Sequence, residues 1–127
     1  MDNNKKRPVY LNLFLIRLPA AGVVSILHRV SGVALVLFLP LALWVLQRSL
    51  RSAADYQAVV DTLSLLPVRL LLLLLAAVFA QHFLAGLRHL LLDIDIGIRR
   101  HQARLTAWLV LAGAAATTLW VVLRWLL

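Results

Sequence analysis

The chain has 127 residues, of which 63% are hydrophobic, and 13 Lys and Arg against 5 Asp and Glu give a net charge of +8. Soluble domains are roughly half apolar, so the composition excludes an ordinary soluble protein and indicates an integral membrane protein. The basic residues lie at the ends of apolar runs and form no stripe with interleaved aromatic residues, which argues against nucleic-acid binding. There are no cysteines, which excludes disulfides and iron–sulfur clusters with Cys ligands.

The first predicted element is an interfacial segment over residues 1–20, where Pro8 and Pro19 interrupt regular structure and Arg17 breaks the apolar run. Three membrane-spanning helices are predicted next, over about residues 22–46, 70–92 and 105–125. Each apolar stretch approaches or exceeds the roughly 20 residues that cross a bilayer. Residues 47–69 are predicted to be a loop. The expected fold is all-α and membrane-integral, with segment 1–20 followed by a three-helix domain over 21–127.

Lysine and arginine are divided unequally between the two sides of this topology. The side of the N-terminus and second loop holds most of them, and cytoplasmic loops carry such an excess, so we expect a cytoplasmic N-terminus. That side carries Lys5, Lys6, Arg7, Arg17, Arg29, Arg88, Arg99, Arg100 and Arg104, and the other side carries Arg48, Arg51, Arg69 and Arg124.

His82 lies inside the second apolar run, near mid-membrane by its distance from the end of that run. A polar group left unpaired in hydrocarbon costs roughly 2–7 kcal/mol, so an intramembrane histidine is a functional-site hypothesis. At helical periodicity His82, Gly86 and His89 share one face. An imidazole in an apolar slot beside a glycine suits axial ligation of a haem iron. An interhelical hydrogen bond is the alternative, and the chemistry alone favours neither.

Ser25 and Arg29 lie one turn apart at the start of the first span, with His28 beside them. A hydroxyl near a fixed cation makes a polar end for a quinone head group, whose carbonyl oxygens need donors. The alternative for Arg29 is a side chain that reaches the interface and marks the helix end. With a helical rise of about 1.5 Å per residue, the positions of His28 and His82 in their spans predict a difference in depth of roughly 10 Å. The two are therefore predicted to pair poorly across one iron, so that the second ligand comes from another chain.

Haem propionates are anionic and need basic partners or water. The cations and donors available at the shallower level are His28, Arg29, Arg88 and His89. For Arg88 and His89, anchoring at the interface is favoured over direct ligation of iron.

Two motifs resemble signatures of the cytochrome b subunit family of succinate dehydrogenase. The first is SILHRVSG over residues 25–32, and the second is HxxxGxRHxxxD over residues 82–93. The opening segment, with Arg7-Pro8, Arg17 and Pro19, is similar as well. The resemblance covers nearly the whole chain. The third span contains no motif, so its prediction depends on hydropathy alone.

The resemblance implies three transmembrane helices that pack with a second small anchor subunit around a haem b. It implies His82 as the axial ligand, with a haem-edge neighbourhood of His28, Arg29, Arg88 and His89. Ser25 and Arg29 match the site for ubiquinone or menaquinone. The chain would have no catalytic residue of its own.

The resemblance also implies partners and a location. The second anchor would supply the other haem histidine, an iron–sulfur subunit would carry electrons, and a flavoprotein would oxidise succinate. The expected cellular location is the bacterial inner membrane, in preference to the mitochondrial inner membrane. Two alternatives stay open: the anchor of a fumarate reductase, and a haem-free three-helix scaffold in which His82 joins two helices.

Overall fold

The computed structural model describes residues 18–126, so the predicted interfacial segment 1–20 lies almost wholly outside the described residues. Four helices follow one another: α1 (Ala20–Ser49), α2 (Ala53–Ser64), α3 (Leu66–Asp93) and α4 (Arg100–Leu126). Residues 18–126 contain no strand. Three of the helices, α1, α3 and α4, are long and apolar enough to cross a membrane. The predicted all-α fold with three long apolar helices is confirmed.

Each of the long helices extends beyond its predicted span at both ends. α1 begins directly after Pro19, whose extended backbone precedes the helix, and it continues through Pro40 to Ser49. α3 begins with Leu66 and Pro67, and a proline in the first turn sacrifices no helical hydrogen bond. Hydropathy finds only the part of a helix that is uniformly apolar. The helical hydrogen bonds here continue past that part into more polar sequence.

Residues 47–69 contain the helix α2 instead of the predicted loop. The Ser52 hydroxyl accepts a hydrogen bond at 3.0 Å from the backbone N–H of Asp55 and caps the helix. Asp55 also lies 3.6 Å from the guanidinium of Arg48, which joins α2 to the end of α1. The Ser-x-x-Asp pattern at 52–55 is a helix-start signal. α2 has only 12 residues, so hydropathy over the length of a membrane span does not detect it.

α1, α3 and α4 meet at small side chains. Val24, Ala85 and Ala107 are fully buried where the three helices come together, and Val110 packs beside them. Most leucines and other large apolar side chains lie on the outer surface instead. In hydrocarbon there is no hydrophobic gain in burying leucine between helices, so association depends on close backbone approach. Small residues permit that approach.

The reversal between α3 and α4 uses left-handed backbone and a buried arginine. Asp95 and Gly97 have φ values of 62° and 82°, which end α3 and turn the chain. The Arg88 Nε donates to the Thr106 hydroxyl and its Nη2 to the carbonyl of Ala103, both at 3.1 Å. Arg88 therefore ties the end of α3 to the first turns of α4.

We expect Ala107→Leu to destabilise the bundle by about 1–3 kcal/mol, because three added carbons have no space in a filled helix junction. The measurement is thermal unfolding of the purified protein in detergent. Ala115→Leu makes the same change on an exposed position of the same helix and should leave the transition within about 0.5 kcal/mol of the parent. Equal effects of the two substitutions would contradict this packing.

Candidate functional site

Three imidazole rings form a stack between α1 and α3. The ring of His28, on α1, lies 4.3 Å from that of His82 and 4.9 Å from that of His89, measured between centroids. The rings are nearly parallel, with interplanar angles of 16° and 20°. His82 and His89 share one face of α3, as their spacing predicts, and His28 from α1 lies between them.

Two glycines make this stack possible. A Cβ added to Gly32 would lie 3.1 Å from Cε1 of His82, and one added to Gly86 would lie 3.3 Å from Nε2 of His28. Both distances are tighter than ordinary carbon contacts of about 3.5–4.0 Å. Each helix thus presents a glycine to a histidine of the other helix. These two contacts set the register between α1 and α3.

The predicted separation of His28 and His82 by roughly 10 Å in depth is wrong, because their ring centroids are 4.3 Å apart. A depth obtained by counting residues from the end of each span is correct only if the ends of the two spans lie at the same level in the membrane. Rise per residue gives position along one helix only. The offset between antiparallel helices depends on side-chain packing, which here is the paired glycine–histidine contact.

Ser31 is a residue of this site that sequence analysis did not single out. Its side chain is 5% exposed, and its hydroxyl lies 3.1 Å from Nδ1 of His82 and donates to the carbonyl of His28 at 2.9 Å. Nδ1 of His82 also lies 3.1 Å from that carbonyl. A signal was present, because Ser31 lies one turn after His28 and directly before Gly32.

These contacts favour one tautomer of His82. A carbonyl oxygen can only accept, so Nδ1 of His82 carries the proton that it donates to the carbonyl of His28. In a neutral imidazole the other nitrogen, Nε2, then keeps its lone pair. The Nδ1 of His89 likewise donates, to the carbonyl of Ala85 at 2.6 Å. Both α3 histidines are therefore held through Nδ1, which leaves Nε2 as the acceptor or ligand atom.

An open groove of about 500 Å³ lies beside the stack, with both His28 and His82 in its wall. Arg29 and Gly32 also line it, and the remaining wall is the exposed apolar side of α1: Val33, Val36 and Leu37. Arg29 is exposed at one end. The groove thus combines an imidazole, a cation and an apolar surface that this chain leaves uncovered.

The other predicted site residues divide between two places. Ser25 is half-buried on α1 one turn before Arg29, and it does not line the groove. His89 belongs to the stack. Arg88, predicted near a haem edge, instead points toward α4, where it binds Thr106 and Ala103. The reason is geometric, since consecutive residues of a helix are about 100° apart around its axis, so Arg88 and His89 cannot face the same neighbour.

Known proteins resemble this chain over most of its length. The family model described as succinate dehydrogenase/fumarate reductase transmembrane subunit matches residues 3–121. A succinate dehydrogenase cytochrome b556 subunit from Coxiella burnetii is 33% identical over 110 residues, which cover 84% of this chain and 86% of the relative. The subunit of the same name from Paracoccus denitrificans is 34% identical over 117 residues, covering 88% of this chain and 86% of the relative.

The matched region includes all four helices up to residue 121, and with them the histidine stack and the groove. A match of this extent agrees with the three apolar helices and identifies a multi-pass membrane protein. The chain therefore belongs to the family of succinate dehydrogenase and fumarate reductase transmembrane subunits, and within it stands with the cytochrome b anchor subunits of succinate dehydrogenase.

Proposed function

We propose that the chain binds a b-type haem through His82 and helps to form the quinone site through Ser25 and Arg29. In this function it receives electrons that originate from succinate and delivers them to ubiquinone or menaquinone. The observation that carries the proposal is the position of His82, which lines an apolar groove together with Arg29 and whose Nδ1 lies within hydrogen-bond distance of the His28 carbonyl. The cytochrome b556 name of the relatives supports the same cofactor.

The residues present fit a haem. A haem iron takes an imidazole nitrogen in an apolar slot, and a bound haem supplies a one-electron redox centre. Coordination uses the lone pair in the plane of the ring, so His28 stacked on the face of His82 leaves that direction open. The bond from Nδ1 to the carbonyl of His28 holds the ring orientation. Arg29 and His28 provide donors for a propionate in the same groove.

This chain would hold the haem through one histidine, His82. His28 lies face to face with His82, so the two lone pairs cannot reach one iron from opposite sides. We therefore propose that a second small anchor subunit supplies the other histidine and covers Val33, Val36 and Leu37. An iron–sulfur subunit and a flavoprotein would complete the enzyme, in which this chain is not catalytic alone.

The proposed quinone site lies at the N-terminal end of α1. Ser25 and Arg29 are one turn apart there, and each carries a donor for a quinone carbonyl oxygen. We propose that this end faces the bacterial cytoplasm, where the soluble subunits would dock. The excess of Lys and Arg on this side supports the orientation, and the bacterial relatives support an inner-membrane location.

One observation favours the haem-free alternative. The bond from His82 to the carbonyl of His28 joins α3 to α1, and that is the contact that a purely structural histidine would make. In the haem-binding function Nε2 of His82 coordinates iron, and in the scaffold function it does not. A haem spectrum therefore distinguishes the two functions.

We expect His82→Ala to abolish or strongly weaken the b-type reduced-minus-oxidised spectrum of the purified complex, because the iron loses an axial nitrogen. His101→Ala is the matched control, since His101 is exposed at the start of α4 and lies outside the stack. An unchanged spectrum in the His82 variant would refute the ligand assignment and favour the scaffold.

Ser31→Ala should lower haem retention about 10–100-fold, because the ligand ring loses one of its two orienting partners. Ser31→Thr restores the hydroxyl and should recover most of the loss. The measurements are haem content after dilution and the midpoint potential of the haem that remains. Ser49→Ala, which removes an exposed hydroxyl from the same helix, should change neither.

Arg29→Ala should impair succinate-driven quinone reduction by at least about tenfold, since a charged donor to the quinone is lost. Reduction of an artificial dye by the soluble subunits should persist. Arg104→Ala removes an exposed cation of α4 and should leave both activities intact. Equal loss of both activities in the Arg29 variant would mean that Arg29 serves assembly.

A further inference from the structure

A second groove runs between α3 and α4, away from the histidine stack. It encloses about 250 Å³ and extends from the turn at Ile96 and Gly97 to Gly113 on α4. Apart from Arg88 and Thr106, its walls are apolar, with Leu84, Leu87, Leu91, Leu109 and Val110 among them. Leu87, Leu91 and Leu109 are also exposed on the outer surface, so the groove opens toward the hydrocarbon of the membrane.

Arg88 places a buried cation in the wall of this groove. It is 6% exposed, its guanidinium is always charged, and its hydrogen-bond partners, Thr106 and Ala103, are neutral. The only ion pair among residues 18–125 joins Arg48 to Asp55, so no carboxylate in that range lies within ion-pair distance of Arg88. A buried charge without a counter-ion is costly. The groove therefore presents an unneutralised cation and unused N–H donors to whatever occupies it.

The depth of Arg88 is that of phospholipid headgroups and esters. α4 has 27 residues and is roughly 40 Å long, close to the roughly 40–45 Å of a bilayer with its headgroups. Ala103 and Thr106, which bind Arg88, lie roughly 5–9 Å below the start of α4. That level is the boundary between headgroups and hydrocarbon. Gly113 lies roughly 10 Å deeper, so the apolar part of the groove is within the hydrocarbon.

The segment that joins α3 to α4 beside the groove carries a small excess of positive charge. Between the end of α3 and the first turns of α4, the chain carries Asp93 and Asp95 against Arg99, Arg100 and Arg104. Of these arginines, Arg100 and Arg104 line a different pocket, beside the start of α1. Such a surface attracts anionic lipids over zwitterionic ones.

We propose that this groove binds one anionic phospholipid, with an acyl chain between α3 and α4 and the phosphate on Arg88. The apolar walls require a hydrocarbon chain, and the buried guanidinium requires an anion at headgroup depth. A phospholipid meets both requirements in one molecule. Phosphatidylcholine is a poor source of that anion, because its own choline cation balances the charge of its phosphate. The proposal does not depend on the haem or on the quinone site.

The test is native mass spectrometry of the delipidated complex that contains the full chain, titrated with phosphatidylglycerol and phosphatidylcholine of identical acyl chains. We expect the first site to prefer phosphatidylglycerol by at least about tenfold, as one charge-assisted contact supports. Arg88→Gln should reduce the preference to within about twofold, and Arg88→Lys should retain most of it. Arg99→Gln removes an equal charge from the same surface without touching the groove, and should leave the preference unchanged.

A second pair of variants tests the groove with Arg88 intact. Leu87→Trp adds bulk to an exposed leucine of the groove wall and should abolish the high-affinity site. Leu90→Trp makes the same change on an exposed position of α3 that does not line the groove, and should preserve the site.

Three results would overturn the proposal. The first is equal binding of the two lipids by the parent complex. The second is equal loss in the Arg88→Gln and Arg99→Gln variants, which would indicate diffuse attraction to the surface. The third is equal behaviour of the Leu87→Trp and Leu90→Trp variants, which would mean that another part of the complex binds the lipid or that a protein segment fills the groove.

Discussion

The contact on which the site depends is the packing of His28 between two histidines of α3. It requires a glycine on each helix, because a side chain at Gly32 or Gly86 would crowd the facing imidazole. The same contact brings the carbonyl of His28 and the hydroxyl of Ser31 within reach of Nδ1 of His82. Helix register and the orientation of the His82 ring thus follow from one interhelical contact.

The bundle handles its polar groups in two ways. The histidines and Ser31 satisfy one another through neutral hydrogen bonds and stacking, which suits a low-dielectric interior because no net charge is required. Arg88 keeps a charge, and it lies near the end of α3 where headgroups and water are close. Large apolar side chains face outward, and small ones join the helices. This distribution is the one expected when the surrounding solvent is hydrocarbon.

Periodicity and hydropathy predicted much of this arrangement. The three long helices are confirmed, and so is the family that the motifs at 25–32 and 82–93 indicated. His28 and Arg29 do meet His82 around one groove. The failures have particular physical causes. α2 is short and is stabilised by the Ser52 cap, so hydropathy over the length of a membrane span does not detect it. The role of Ser31 was not predicted, because a single serine hydroxyl in a helix usually forms a hydrogen bond with the backbone of its own helix.

The sequence alone determined the membrane class, the number of long helices and the face of α3 on which His82 and His89 lie. Each of these depends on the order of residues along one helix. Only the tertiary structure decided that His28 reaches the depth of His82, that Ser31 orients the ring, and that Arg88 binds α4. These depend on how far one helix is shifted and rotated against another. Side-chain packing sets that relation, and counting residues within a helix carries no information about it.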